Sequence, residues 1–392
     1  MSKVTETERR GGILTIAALI AAFAMANSPL FELYWFVHHT PVSIHIGEFA
    51  IDKPLIVWIN KGLMVFFFLL VGLEIKREVL EGELVGVKHF ALPLLAAVGG
   101  MAAPAAIYIT FNASDPVAMR GWAIPTATDI VLALAVLSLL RERVPEALMI
   151  FLAALAIFDD VGAILIIALF YSEGLTAASL LAAVGGIGAL IVLNRYKVVY
   201  TAPYLLAGLF LWAAVLKSGV HATLVGVIVA LALPLRGVRD GAGCSPLKEM
   251  ESGLRPWVTL GIVPVFAFFN AGITLSGLAP GTLWTPAAMG IVLGLFLGKQ
   301  LGVFGATWLA VRIGIGKLPA GMNWAQMYGV ALLAGIGFTM SLFVTSLAFD
   351  DKALLASARF AILIGSILSA IVGLIVLWRV SPRRGDREGE DG

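Results

Sequence analysis

Long apolar segments recur along the whole chain and constrain its fold more than any other feature. Twelve of them lie at about residues 12–30, 58–80, 90–111, 121–140, 146–171, 177–194, 201–216, 219–235, 256–275, 286–311, 325–348 and 355–378. A helix needs about 20 apolar residues to cross a bilayer. The pattern therefore predicts an all-α integral membrane protein with twelve transmembrane helices, the seventh and eighth short enough to be tilted or partly merged.

The composition favours the same fold class. Of 392 residues, 60% are hydrophobic and 13% are charged, whereas soluble domains carry about 25% charged residues. The single cysteine, Cys244, excludes an intrachain disulfide and a cysteine-based metal site. No cleavage site follows the first apolar segment, so we interpret it as a spanning helix. We expect one transmembrane domain over residues 1–392, with cytoplasmic tails at about 1–11 and 380–392.

Basic residues are distributed unequally between the two sets of predicted loops. If every segment spans, one side carries most of the lysines and arginines, whereas the other side holds little more than Lys53, Arg120, Lys217 and Lys352. Basic loops stay in the cytoplasm during membrane insertion. The asymmetry therefore predicts that both termini are cytoplasmic.

Residues 42–51 alternate between apolar and polar side chains around a central glycine. This pattern favours a small external β-hairpin, with an irregular loop as the alternative. Because a lone hairpin is only marginally stable in water, we expect it to pair with a second copy and form a homodimer.

Two adjacent carboxylates, Asp159 and Asp160, lie in the middle of an apolar run from about residue 147 to residue 171. Each ionised Asp at the centre of a spanning helix costs ~2.5–3.5 kcal/mol. Residues placed at such cost mark ion or proton paths, and we interpret the rest of the chain as supporting this pair.

Two apolar segments carry interruptions. Pro125 breaks the fourth segment next to Thr126, Thr128 and Asp129, because proline removes a backbone donor and clashes with the preceding turn. The eleventh segment contains a Gly-Ile-Gly sequence at residues 335–337. The corresponding positions predict inverted repeats of helices 3–5 and 10–12.

Further charged residues have both a functional and a structural reading. Lys299 is deep in an apolar segment and needs a carboxylate partner or loses its charge, so it can exchange a proton or form a structural ion pair. Glu74, Arg77 and Glu78 share a helical face, either as a solvated helix end or as a gate. His221 is a weaker signal, more typical of a hydrogen-bonded packing residue.

The candidate ligands form a set that offers only oxygen atoms and suits a hard cation, namely Asp159, Asp160, Asp129, Thr126 and Thr128. Burial and mutual repulsion favour protonated carboxyls, so protons and a cation would compete for the same oxygens, which is sufficient for antiport. A sodium-coupled symporter is the alternative, although it would need a substrate cavity. The adjacent pair does not fit the motifs of intramembrane aspartyl proteases or prenyltransferases, and we expect no enzyme activity, no cofactor and no nucleic-acid partner.

Five ordered motifs resemble the signatures of the NhaA family of sodium/proton antiporters. They lie at residues 67–78, 125–130, 156–160, 298–299 and 335–341, and the similarity runs from about residue 10 to 380. The resemblance implies twelve helices, crossed unwound segments in helices 4 and 11, a cytoplasmic funnel that ends at the paired carboxylates, and a place in the bacterial inner membrane.

The resemblance also implies roles for individual residues. Asp159 and Asp160 would bind sodium or lithium, and would carry protons together with Lys299. Thr128 and Asp129 would lie nearby as further ligands. Asp129 and Lys299 would offset the partial charges of the broken helix ends, and Lys299 would pair with Asp159. Exchange would be electrogenic, with more protons than sodium ions per cycle. The positions that match pH-sensing residues are Glu74, Arg77, Glu78, His221, Lys248 and Glu251.

The sequence departs from the family pattern at three positions. Lys61 lies where an acidic residue is expected, and Ser252 and Arg255 lie where members associated with pH sensing can carry histidine. We therefore expect intact transport chemistry with a shifted or shallower pH threshold.

Overall fold

The computed structural model describes residues 2–46, 49–81, 87–171, 176–218, 220–239, 241–274, 281–319 and 321–381. Of these residues, 78% are helical, and the sheets among them are small. The helices are α1 (Ser2–Ala26), α2 (Phe31–His39), α3 (Leu55–Glu81), α4 (Val87–Asn112), α5 (Pro116–Thr126), α6 (Ile130–Ser138), α7 (Glu146–Phe170), α8 (Ala177–Arg195), α9 (Thr201–Leu216), α10 (Leu224–Ala232), α11 (Pro246–Asn270), α12 (Pro286–Arg312), α13 (Trp324–Leu333), α14 (Phe338–Ala348) and α15 (Lys352–Val380).

Many of these helices can cross a membrane. Among the described residues, seven are long and apolar enough to do so alone, and two bent pairs, α5 with α6 and α13 with α14, pass the same test together. Helices α8 and α9 are apolar but shorter. The chain is therefore a multi-pass membrane protein, and the number of twelve spans stays a prediction.

Two helix starts and one additional helix differ from the sequence prediction. Helix α1 begins at Ser2, so most of the expected tail at residues 1–11 is helical, while residues 382–392 lie outside the described part of the chain. Helix α2 was not predicted. Helix α11 begins at Pro246 rather than near residue 256, because Ser245 caps its first turn through a hydrogen bond from Lys248 N. Residues 246–255, which were expected to precede this helix in the cytoplasm, therefore form its first turns.

The chain divides into two compact units. The first contains Met1–Phe23, Gly86–Ala163 and Asn270–Gly392, and the second contains Ala24–Val85 and Ile164–Phe269. These units are groups of residues that pack against each other. They do not test the expectation of a single transmembrane domain, which stays a prediction.

The first unit is built on close contact between α4 and α12. A Cβ atom on Gly99 would lie 2.4 Å from the Gly302 carbonyl oxygen, and one on Gly302 would lie 2.1 Å from the Gly99 carbonyl oxygen. Farther along, a Cβ on Gly298 would lie 2.7 Å from Pro104 Cα. Small residues of this kind allow membrane helices to approach backbone to backbone.

The second unit uses the same type of packing between α3 and α10. A Cβ atom on Gly226 would lie 2.2 Å from the Val65 carbonyl oxygen, so only glycine fits there. Leu69 and Leu73 of α3 bury their side chains in an apolar cluster that includes Leu211. Helices α8 and α9 complete this cluster.

Two antiparallel strand pairs accompany the helices. Strands β1 (Pro41–Ile46) and β2 (Phe49–Pro54) pair with Ser43 opposite Asp52, and β3 (Gly237–Arg239) pairs with β4 (Ala242–Cys244). His45 Nε2 lies 3.0 Å from Asp52 Oδ1 across the first pair. Residues 47 and 48, between β1 and β2, lie outside the described residues. The placement of these strands outside the membrane, and their part in a dimer, stay predictions.

Candidate functional site

Two helix breaks form the frame of the site in the first unit. Helix α5 ends at Thr126 as a tight helix that contains Pro125, and the chain is extended at Ala127 and Asp129 before α6 begins, with a bend of 41°. The second break separates α13 from α14 at residues 334–337, with a bend of 43°. Both interruptions lie where Pro125 and the Gly-Ile-Gly sequence are found.

Hydrogen bonds tie the two breaks to each other. Asp129 N donates to the Ile336 carbonyl oxygen at 2.7 Å. Ser341 Oγ donates to the Ile124 carbonyl oxygen at 2.8 Å. Backbone groups freed by each break therefore find partners in the other broken helix, which membrane burial requires.

Asp129 caps helices on both sides of this crossing. Its Oδ1 accepts from Leu132 N at 2.9 Å in α6, and its Oδ2 accepts from Thr339 N at 3.0 Å and from the Thr339 hydroxyl in α14. The preceding N–H of α14, on Phe338, donates to Ser366 Oγ at 3.3 Å. Helix N-termini carry partial positive charge, so one buried carboxylate offsets two helix ends.

Asp159, on α7, forms the centre of the site. Its Oδ2 accepts from Thr128 Oγ1 at 2.6 Å and from Lys299 Nζ at 2.5 Å, and the Lys299 and Asp159 side chains are fully buried. Its Oδ1 has no hydrogen-bond partner among the described residues. Asp160 is 1% exposed and projects about 100° farther around the same helix.

Helix α12 places Lys299 beside α4. Two π-helical turns, Gly294–Gly298 and Gln300–Phe304, flank the lysine, and such turns are frequent at functional sites. A Cβ atom on Gly100 would lie 2.7 Å from Val303 Cγ2, so the glycine lets α4 pack closely against α12 near the lysine. The structure thus forms the Lys299–Asp159 pair that the resemblance implied.

Not every predicted ligand faces Asp159. The Thr126 hydroxyl donates to the Ala123 carbonyl oxygen at 2.8 Å, within its own helix. Asp129 is engaged in capping through both oxygens. Within the described ranges, no three His, Cys, Asp or Glu side chains lie close enough together to hold a metal ion.

An ion-pair cluster lies in the second unit, between α3 and α11. Arg255 Nη2 lies 2.7 Å from Glu74 Oε1 and 2.9 Å from Glu251 Oε1, and Arg77 lies 2.8 Å from Glu251 Oε2 and 2.7 Å from Glu78 Oε1. We call these five residues the α3–α11 charge cluster. Arg255, a position where the sequence departs from the family pattern, supplies one of its two cations.

Two predicted pH-sensing residues have other partners. Lys248 Nζ lies 2.7 Å from Glu81 Oε2, which also pairs with Arg236. His221 Nδ1 lies 2.6 Å from Thr223 Oγ1. The structure therefore brings together Glu74, Arg77, Glu78 and Glu251, and gives Lys248 and His221 partners outside this group.

Sequence reasoning missed several residues that support the site. Thr339, Ser341 and Ser366 all bind the broken helices, and Thr339 and Ser341 belong to the motif at residues 335–341. Their position directly after a predicted break was an available signal, because a hydroxyl there can donate to oxygens at the other break. Ser366 carried no such signal.

The apolar helices and the buried carboxylates define a multi-pass membrane protein with ionisable groups in its interior. Residues 2–377 match the family described as Na+/H+ antiporter 1. The chain is 52% identical over 382 residues to the Na+/H+ antiporter NhaA of Shewanella loihica, with 97% of each chain covered. It is 53% identical over 378 residues to NhaA of Pseudomonas fluorescens, covering 96% of this chain and 95% of the relative. The chain belongs to the Na+/H+ antiporter 1 family.

Proposed function

We propose that this protein exports sodium in exchange for protons, and that both compete for Asp159 and Asp160. The observation that carries the proposal is the buried Asp159 carboxylate, whose Oδ2 is held by Lys299 and Thr128 while its Oδ1 has no hydrogen-bond partner among the described residues. A buried carboxylate oxygen without a donor is suited to a hard cation.

Lys299 gives the competition its electrostatic balance. A buried ammonium and a carboxylate stabilise each other only while both remain charged and close. Sodium at Asp159 competes with the ammonium for the same negative charge, and a proton on Asp159 removes that charge. The Asp159 carboxylate therefore interacts strongly with only one of sodium, a proton or Lys299 at a time, as antiport requires.

In this scheme, the main role of Asp129 is to offset the partial positive charge of two helix N-termini. A direct contact between Asp129 and the ion is secondary. Its two oxygens already accept from Leu132 and Thr339. Lys299 compensates the negative ends of the broken helices. Lithium, another small hard cation, would be carried by the same oxygens.

The wider architecture of the proposal follows the sequence. The chain has twelve spans, and the third to fifth predicted spans form an inverted repeat with the tenth to twelfth. Both termini are cytoplasmic in a bacterial inner membrane. The exchange of sodium for protons is electrogenic. The β1–β2 pair lies outside the membrane and joins two copies into a homodimer. The α3–α11 charge cluster, with His221 and Lys248, adjusts activity to pH, and its guanidinium at Arg255 makes the threshold shallower.

The test is proton release from purified protein when sodium, lithium, potassium or choline is added at about pH 8.5, where buried carboxyls exchange protons for cations. We expect release with sodium and lithium only, and its loss in Asp159→Asn and in Asp160→Asn. Asp350→Asn, an exposed carboxylate outside the site, is the matched control. An absence of sodium-specific proton release between about pH 6 and pH 9 would contradict the proposal and favour the sodium-coupled symporter.

A further inference from the structure

We propose that the Thr128 hydroxyl links sodium occupancy at Asp159 to the break between α13 and α14, by directing its one proton to one of two acceptors. This inference rests on the proposed function and adds a coupling residue to it. Thr128 is a positioning residue in this scheme, because it acts on the second broken helix through the Ala334 carbonyl.

The geometry gives one donor two acceptors. Thr128 Oγ1 lies 2.6 Å from Asp159 Oδ2 and 2.8 Å from the Ala334 carbonyl oxygen, and Thr128 is fully buried. A hydroxyl carries a single proton, while a carbonyl oxygen and an ionised carboxylate can only accept. The proton therefore serves one partner well only at the expense of the other.

The Ala334 carbonyl depends on this outside donor. Ala334 is the C-terminal cap of α13, where carbonyls have lost their partners in the following turn. Phe338, four residues onward, would continue the helical pattern, but its N–H donates to Ser366 Oγ instead. A donor from the other broken helix, Thr128, takes that place.

Sodium changes which acceptor the proton favours. A cation on Asp159 offsets the negative charge of that carboxylate and so reduces its pull on the hydroxyl proton. The Ala334 carbonyl then becomes the better acceptor. Sodium binding therefore strengthens the bond across the two breaks, and sodium release weakens it again.

The experiment measures amide hydrogen exchange of peptides covering residues 334–341, in choline and in saturating sodium, with proton release followed in the same samples. In the wild type, we expect sodium to slow exchange there by about ten-fold, the equivalent of one net hydrogen bond. Thr128→Val removes the hydroxyl, and we expect a change below about two-fold at sodium concentrations that saturate its own proton release.

Two further variants separate coupling from simple packing. Thr128→Ser keeps the hydroxyl and should keep the full sodium response. Thr126→Val removes a neighbouring buried hydroxyl whose bond is local, and it should also keep the response. If Thr128→Val does not fold, the Thr128→Ser result still decides, because loss of the response with the hydroxyl retained contradicts the inference.

The outcomes for the two proposals differ. Proton release without any sodium effect on residues 334–341 in the wild type, or an unchanged effect in Thr128→Val, overturns the coupling and leaves the proposed function standing. Absence of sodium-specific proton release from the wild type overturns the proposed function, and the coupling with it.

Discussion

Lys299 Nζ lies 2.5 Å from Asp159 Oδ2, and solvent reaches neither side chain. Removing one partner leaves the other as an uncompensated buried charge, which costs about 3–5 kcal/mol. We therefore predict that Lys299→Gln lowers the free energy of unfolding by this amount, and that Lys299→Gln combined with Asp159→Asn loses less than Lys299→Gln alone. Thermal unfolding in detergent measures both effects, with Lys352→Gln on the exposed surface as control.

Additive losses in that double variant would contradict the prediction, since they would mean that the two charges do not compensate each other in the folded protein. If Lys299→Gln lowered the melting temperature no more than Lys352→Gln does, the prediction would also be contradicted.

The shared cap on α6 and α14 predicts a second effect. Thr339→Val removes the hydroxyl that donates to Asp129 Oδ2 but keeps the backbone donor. We therefore expect the free energy of unfolding to fall by about 1–2 kcal/mol and the sodium/proton exchange rate to fall as well. Ser346→Ala is the control, because its hydroxyl bonds locally to the Phe343 carbonyl oxygen. Melting temperatures and sodium-driven proton flux in vesicles report the result. Equal melting temperatures for the two variants would show that the Thr339 hydroxyl does not contribute to the cap.

Arg255 predicts an unusual pH response. A guanidinium keeps its charge at all physiological pH values, whereas an unperturbed imidazole loses its charge near pH 6.5. We expect Arg255→His to weaken the contacts to Glu74 and Glu251 as the pH rises, and so to give a steeper activity profile between about pH 6 and pH 8. Activity measured across that range tests this. Ser252→His, on the exposed side of α11, is the control, and superimposable profiles for Arg255→His and the wild type would exclude the idea.

The β1–β2 pair makes a prediction in acid. The Ser43 hydroxyl, with a smaller contribution from His45, holds the pKa of the Asp52 carboxyl below its usual value of 3.8. A lowered pKa stabilises the folded strands above the unfolded value, and that contribution disappears as the pH falls through the folded value. Ser43→Ala should therefore raise the pKa of Asp52 towards its usual value, as measured by carboxyl carbon NMR. His45→Gln should change it less, and an unchanged pKa in Ser43→Ala would show that the hydroxyl is not the cause.

Much of the helix layout could be predicted, because apolar segments contrast sharply with polar loops. The segment at 146–171 became α7, and the one at 286–311 became α12. The start of α11 was missed since its first turns are charged, although Ser245 and Pro246 are typical of a helix start. Hydropathy cannot detect a helix whose early turns are polar.

The ionisable part of the candidate site was predictable because isolated charges stand out in apolar segments. Asp159 and Lys299 are 140 residues apart in the chain, and only the family resemblance identified Asp159, rather than Asp160, as the partner of Lys299 in advance. The acceptor role of the Ala334 carbonyl could not be predicted, because every residue carries a carbonyl and its availability depends on where a helix ends. The capping role of Ser366 depends likewise on tertiary contact.

The α3–α11 charge cluster contains three carboxylates and two guanidiniums, which leaves one negative charge when all five are ionised. Arginine keeps its charge at every physiological pH. The cluster therefore joins α3 to α11 through two cations that a change in acidity cannot remove, and only its carboxylates can change charge.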